Sequence, residues 1–203
     1  MRAIHIYVEG GGPTNRTQSP LREGFDGFFS ELKSLAKSRD VFLRFVFAGS
    51  RKEAFEDFQT SRRTNPERIN LLLVDSESAV LSLPCVHLKQ RDGWALDGVD
   101  EEHVHLMAQC MEAWLLADPE AMAEYYNQGF NANALPVRIN LEEEPKTQIS
   151  AALESATRHT QKGRYHKIKH ASELLKRVSA QKAQNRCPHC KRFFETVTRM
   201  IQA

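Results

Sequence analysis

The sequence has no apolar stretch approaching the roughly 20 residues that a membrane-spanning helix needs, so nothing in it argues for insertion in a bilayer. It shows no separate apolar leader either, because Met1-Arg2-Ala3-Ile4-His5-Ile6-Tyr7-Val8 runs straight into a strand pattern. With only four cysteines, a secreted disulfide framework is not expected. These absences together lead us to expect a cytoplasmic protein with mostly reduced thiols. No internal repeat and no low-complexity tract is visible. The glycine-rich segment Gly10-Gly11-Gly12 is not followed by Gly-Lys-Ser/Thr, so it is not a nucleotide phosphate loop.

Net charge is also scarce, at +2 over 203 residues, but it is unevenly spread. Residues 1–150 carry 16 Lys/Arg against 23 Asp/Glu, a net of −7, and residues 151–203 carry 12 against 3, a net of +9. An acidic body with a basic tail suits a polyanionic partner such as nucleic acid. The plainer reading is a solvated basic face that touches nothing.

What the sequence does have is Ile69-Asn70-Leu71-Leu72-Leu73-Val74-Asp75-Ser76-Glu77. Leu71 to Val74 shows no polar alternation, which predicts a strand covered on both faces, as in a parallel sheet. Open α/β sheets place ligands at the carboxyl ends of their strands, where Asp75 and Glu77 lie. At period two both side chains point the same way, and two such acids repel unless a cation sits between them. Hard divalent cations take carboxylate oxygens. The alternative is an acidic turn with Asp75 capping the next helix. Residues 2–8 read as a first strand ending at Glu9-Gly10-Gly11-Gly12-Pro13, so Glu9 occupies on it the position of Asp75 on the later one. Arg16 follows, at the expected mouth of the site.

Elsewhere the periodicity predicts a helix over 21–36, a strand over 41–48, a helix over 53–60 and a fourth strand over 83–88. A helix over 101–117 is predicted from Val104, Met107, Ala108, Met111, Trp114 and Leu115. On it, His105, Gln109 and Glu112 would share a face, as a hydrogen-bonded pair or as metal ligands. Asp118 before Pro119 reads as a helix cap. A soft boundary falls in the Asn-, Gly- and Pro-rich 127–141, with helices over 147–156, 171–180 and 191–201 beyond it. The stretch Lys162-Gly163-Arg164-Tyr165-His166-Lys167-Ile168-Lys169-His170 suits a nucleic-acid backbone, or equally a loop that neutralises the acids. Cys187-Pro188-His189-Cys190 is one Cys-x-x-Cys pair, short of a zinc ligand set. It reads as a helix start with two small buried side chains.

Ile6-Tyr7-Val8-Glu9-Gly10-Gly11, Leu72 to Glu77, Arg91-Asp92-Gly93-Trp94 and Gln109-Cys110-Met111-Glu112-Ala113-Trp114-Leu115-Leu116-Ala117-Asp118 resemble the bacterial family catalogued as domain of unknown function 4276. A wider resemblance is to the Toprim fold of topoisomerases, primases and OLD-type nucleases. In that fold a Glu after the first strand and an Asp-x-Asp after a later one bind Mg²⁺. Glu9 and Asp75 match, while Glu77 stands where the pattern has Asp and reaches about one bond further. The resemblance implies a setting in phage defence beside an ATPase partner.

The expectation is therefore an α/β, Toprim-like, mostly parallel sheet flanked by helices over 1–126, with a basic helical region, 127–203, packed on it. Glu9, Asp75 and Glu77 would hold Mg²⁺ or Mn²⁺ for phosphodiester hydrolysis, with Glu112 and Asp118 as candidates for a further metal. Arg91, Lys162, Arg164, Lys167, Lys169 and His170 would meet nucleic acid. The alternative is a non-catalytic adaptor that binds nucleic acid or a partner protein through its basic region.

Overall fold

The computed structural model describes residues 2–10 and 15–203, with residues 15–19 described by backbone alone. Gly11, Gly12, Pro13 and Thr14 and the side chain of Arg16 therefore lie outside the described residues. Four parallel strands form one sheet: β1 (Arg2–Glu9), β2 (Val41–Ala48), β3 (Ile69–Asp75) and β4 (Val104–Met107). Their spatial order is β2-β1-β3-β4. The chain steps from β1 to one side and then returns past it to β3 on the other. The direction of winding thus reverses between β1 and β3, at the crevice where open α/β sheets bind ligands.

Both faces of the sheet are covered, as the unbroken apolar run of β3 requires. Ile6, Val8, Leu71 and Leu73 face a core built with α1 (Asn15–Phe28), α2 (Ser30–Ser38) and the helices that follow β4. Tyr7, Leu72 and Val74 face the opposite core, closed by α3 (Arg51–Thr64) and α4 (Pro84–Asp92). After β4 come α5 (Glu112–Leu116), α6 (Pro119–Tyr126), α7 (Lys146–Thr157), α8 (Lys167–Leu175), α9 (Ala180–Arg186) and α10 (Pro188–Gln202). The architecture is a mostly parallel sheet flanked by helices, and among the described residues no helix is long and apolar enough to cross a membrane.

Four expectations are corrected. The helix expected over 171–180 is the end of α8, which stops at Leu175, and α9 starts only at Ala180. Residues 83–88 form the start of α4, not a strand: Pro84 occupies the first helical turn, where its missing N–H costs nothing, and Gly93 closes the helix with φ +70°. Residues 101–117 are not one helix. Val104–Met107 is β4, wholly buried and paired with β3, and the helix begins only at Glu112. A short run buried on every side carries no face preference, so helical spacing and strand burial fit it equally. The helix expected over 21–36 is two, broken at Phe29, whose ring stacks on Phe45 at 4.8 Å between centroids.

The α1–α8 contact brings two backbones together. A Cβ at Gly24 would stand 2.9 Å from Ser172 Cα and O, and one at Gly27 would stand 3.0 Å from Lys176 Cα. Gly24→Ala would push α8 off α1, and overpacking of this kind costs roughly 1–3 kcal/mol. That opposes the gain of up to about 1 kcal/mol from alanine's helix propensity. The expected result is a lower Tm in a thermal melt; an unchanged or higher Tm would show that the helices do not pack this closely.

Candidate metal centre

β1 ends at Glu9, and Gly10 then turns the chain with φ +110°, its N–H donating to Ala48 O at 2.9 Å. β3 ends at Asp75. Beyond it the chain leaves the strand path: Ser76 N–H donates to Met107 O at 3.0 Å and Glu77 N–H to Gln109 O at 2.9 Å. Glu77 has φ +64°, in the left-handed region where a side chain other than glycine's is uncommon. Asp75 and Glu77 are therefore not two residues apart on one strand, as expected, since the strand stops between them. The two acids meet through the turn. One carboxylate oxygen from each of Glu9, Asp75 and Glu77 lies within 4.8 Å of the others.

Cations supplied by the chain itself stand among these acids, and one of them, Lys167, comes from the basic stretch for which neutralising the acids was the alternative expectation. Lys146, at the start of α7, places Nζ 2.7 Å from Glu77 Oε1 and 3.9 Å from Asp75 Oδ2. Lys167, at the start of α8, places Nζ 3.7 Å from Asp75 Oδ2 and 3.5 Å from Glu112 Oε1. Tyr165 O–H donates to the same Glu112 oxygen at 3.2 Å. Arg51 lies 3.5 Å from Glu9 Oε2, donates to the Asp75 backbone carbonyl, and pairs with Asp92 at 2.7 Å. Its guanidinium covers the Trp94 ring at 5.1 Å, and that ring stacks on Phe55. Five carboxylates (Glu9, Asp75, Glu77, Asp92, Glu112) thus face four cations (Arg51, Arg91, Lys146, Lys167), a formal sum of −1.

The donor set fits a hard divalent cation. All its ligand atoms are carboxylate oxygens. Glu9 Oε2 is buried without a hydrogen-bond partner, which is costly for a carboxylate unless something else satisfies it. Asp75 Oδ1 accepts the Met111 N–H at 2.8 Å, but Oδ2 has its two ammonium groups at 3.7 and 3.9 Å, beyond hydrogen-bond length.

Burial dominates the ionisation of the site. It pushes Glu9 up to about 8, with the Asp75 charge adding to the rise, and pushes Asp75 up to about 6 against the pull of Lys167. At Glu77 burial raises the pKa too, but the Lys146 hydrogen bond and charge outweigh it and the net shift is downward. At Lys167 burial works against the charged form, yet Asp75 and Glu112 raise it overall.

The remaining expected site residues are dispersed. Asp118 caps α6 at Ala121 N–H and pairs with Lys182 at 2.6 Å, so it holds its own counter-ion apart from the triad. Glu112 shares Lys167 with Asp75 and adds its own charge to the field at Asp75, but is not one of the three converging acids. His105 is fully buried in β4, bonded to Glu102 O and Arg192, and burial lowers its pKa to about 3. It shares no helical face with Glu112. Arg91 pairs with Asp92, Arg164 with Glu154, and Lys162 lies over the Tyr125 ring. Lys169 is exposed, whereas His170 is buried with Nδ1 3.0 Å from Tyr126 Oη and faces no solvent ligand. Cys187 and Cys190 are free and buried at the start of α10, and burial raises both thiols. Sequence reasoning missed Arg51 and Lys146, whose only signals were a basic residue after a strand-end turn and a lysine opening a helix.

A carboxyl whose pKa is raised on folding keeps a proton that the unfolded chain has already lost, so stability falls as pH climbs between the two values. For Glu9 that window runs from its ordinary value near 4.5 to about 8. Without metal, the Glu9 contribution to wild-type stability should fall from pH 6 to pH 8. Glu9→Gln, neutral throughout, should lose less and melt higher than wild type at pH 8. Parallel pH profiles for the two proteins would contradict the protonated, desolvated Glu9.

No match is found among curated proteins or among solved structures. The model of the family described as domain of unknown function (DUF4276) matches residues 8–198, which span both acidic strand ends, Lys146 and Lys167. The chain belongs to the DUF4276 family.

Proposed function

We propose that this protein is a Mg²⁺- or Mn²⁺-dependent, nuclease-like phosphodiester hydrolase of Toprim type. The observation that carries the reading is the convergence of Glu9, Asp75 and Glu77 oxygens within 4.8 Å at the point where the sheet's winding reverses. These three would hold the ion. Bound there, it would supply charge neutralisation for a scissile phosphate and lower the pKa of a nucleophilic water.

The chain's own groups have complementary tasks. Glu9, raised toward neutrality by burial, would suit a proton acceptor once a bound cation favours its ionised form. Arg51 positions the ends of both strands by binding the Glu9 carboxylate and the Asp75 carbonyl together. Lys167 is the ammonium nearest the Asp75 carboxylate, with Lys169, Arg164 and Arg91 on the surface for the flanking backbone phosphates. A role in phage defence beside an ATPase, with nucleic acid as substrate, belongs to the same proposal.

The second reading is an adaptor that kept the sheet and lost the chemistry. The cations among the acids favour it, because they satisfy much of the charge without an ion. Titration calorimetry with Mn²⁺ separates the two. The hydrolase reading expects binding by wild type and at least about tenfold weaker binding by Asp75→Ala, the scale on which metal sites respond to lost ligand support. It also expects metal-dependent cleavage of a DNA and RNA panel that disappears in Glu9→Gln. Equal binding by wild type and Asp75→Ala, or none by either, leaves the adaptor.

A further inference from the structure

Lys146 and Lys167 are each the first residue of a helix. That is an unfavourable place for a cation, since the helix dipole presents positive charge there. Neither lysine serves its own helix. Lys146 crosses to an acid 69 residues away in the sequence, and Lys167 reaches Asp75 and Glu112. The two differ in grip. Lys146 makes a true hydrogen bond to Glu77 at 2.7 Å, while Lys167 stays at 3.5 Å or more from every acid it faces. Lys146 therefore holds a carboxylate of the triad by a direct hydrogen bond, and Lys167 only borders the site.

We propose that Lys146 is a built-in stand-in for the divalent cation: it closes the metal-free site by taking the Glu77 carboxylate, and the arriving ion displaces it. The inference rests on the metal-dependent reading above. Displacement has a consequence for substrate. The released ammonium, on a flexible four-carbon stem, stands at the rim of a site whose other ligands are then neutralised, and becomes available to an anionic group such as a phosphodiester. Metal and anionic substrate should then favour each other's binding, because each removes a partner from the Lys146–Glu77 pair, and such coupling is reciprocal.

Two measurements test this on the full-length chain, and neither requires turnover. In Mn²⁺ calorimetry, Lys146→Met should bind at least about tenfold more tightly than wild type, because it removes an opposing charge and a competitor from a partly buried site. Lys167→Met should change affinity less. In acetylation footprinting read by mass spectrometry, Lys146 of wild type should become several-fold more reactive on adding Mn²⁺, while the exposed Lys52 stays constant. The footprint keeps the question answerable if Lys146→Met folds poorly. Wild type that binds Mn²⁺ with Lys146 reactivity unchanged, or a Lys146→Met variant with equal or weaker affinity, overturns the inference and leaves the metal reading standing. No binding by any of the proteins overturns both.

Discussion

Removing several carboxylates from water at one edge of a sheet is possible only if positive charge accompanies them. That requirement organises the molecule. Asp75 is almost completely buried, and Glu9 and Glu112 are largely so. The charge that makes this tolerable comes from three separate parts of the chain: Arg51 from the start of α3, Lys146 from α7 and Lys167 from α8. The compensation is incomplete by one formal charge and leaves Glu9 Oε2 without a hydrogen bond, with Arg51 no nearer than 3.5 Å. A site with an unmet demand for positive charge and carboxylate oxygens as its only candidate ligand atoms suits a hard divalent cation.

The same requirement explains why the basic C-terminal portion lies where it does. Its surplus of +9 against −7 in the rest of the chain looks, in sequence, like a tail intended for a polyanion. In the fold, part of it is spent within the molecule: Lys167 on the triad, Lys182 on Asp118, Arg192 on the carbonyls around β4. The close α1–α8 contact at Gly24 and Gly27 fixes the helix that carries Lys167, so backbone packing far from the acids sets the charge beside Asp75.

The central strands and the acids at their ends were legible because they depend on local pattern. Leu71–Val74 is an unbroken, β-compatible apolar run bounded by polar residues, and Glu9 and Asp75 mark abrupt polar ends. The Asp118 cap and the buried Cys187 and Cys190 were likewise readable from neighbouring residues. β4 was not, because Val104, Met107, Ala108 and Met111 also satisfy helical spacing when every side of a short segment is buried. Nor could sequence show that Glu77 leaves the strand path, since a positive φ at a glutamate has no local signature. Lys146 lay furthest out of reach. Its partner is 69 residues distant and only the folded turn brings them together.

The account stands on one cation site shared by Glu9, Asp75 and Glu77. Anomalous diffraction from crystals soaked in Mn²⁺ examines it directly. The account requires a single strong manganese peak within about 2.0–2.6 Å of oxygens from all three side chains, with the Lys146 ammonium withdrawn from Glu77. Saturated crystals that show no peak there, and Lys146 still bonded to Glu77, would contradict it.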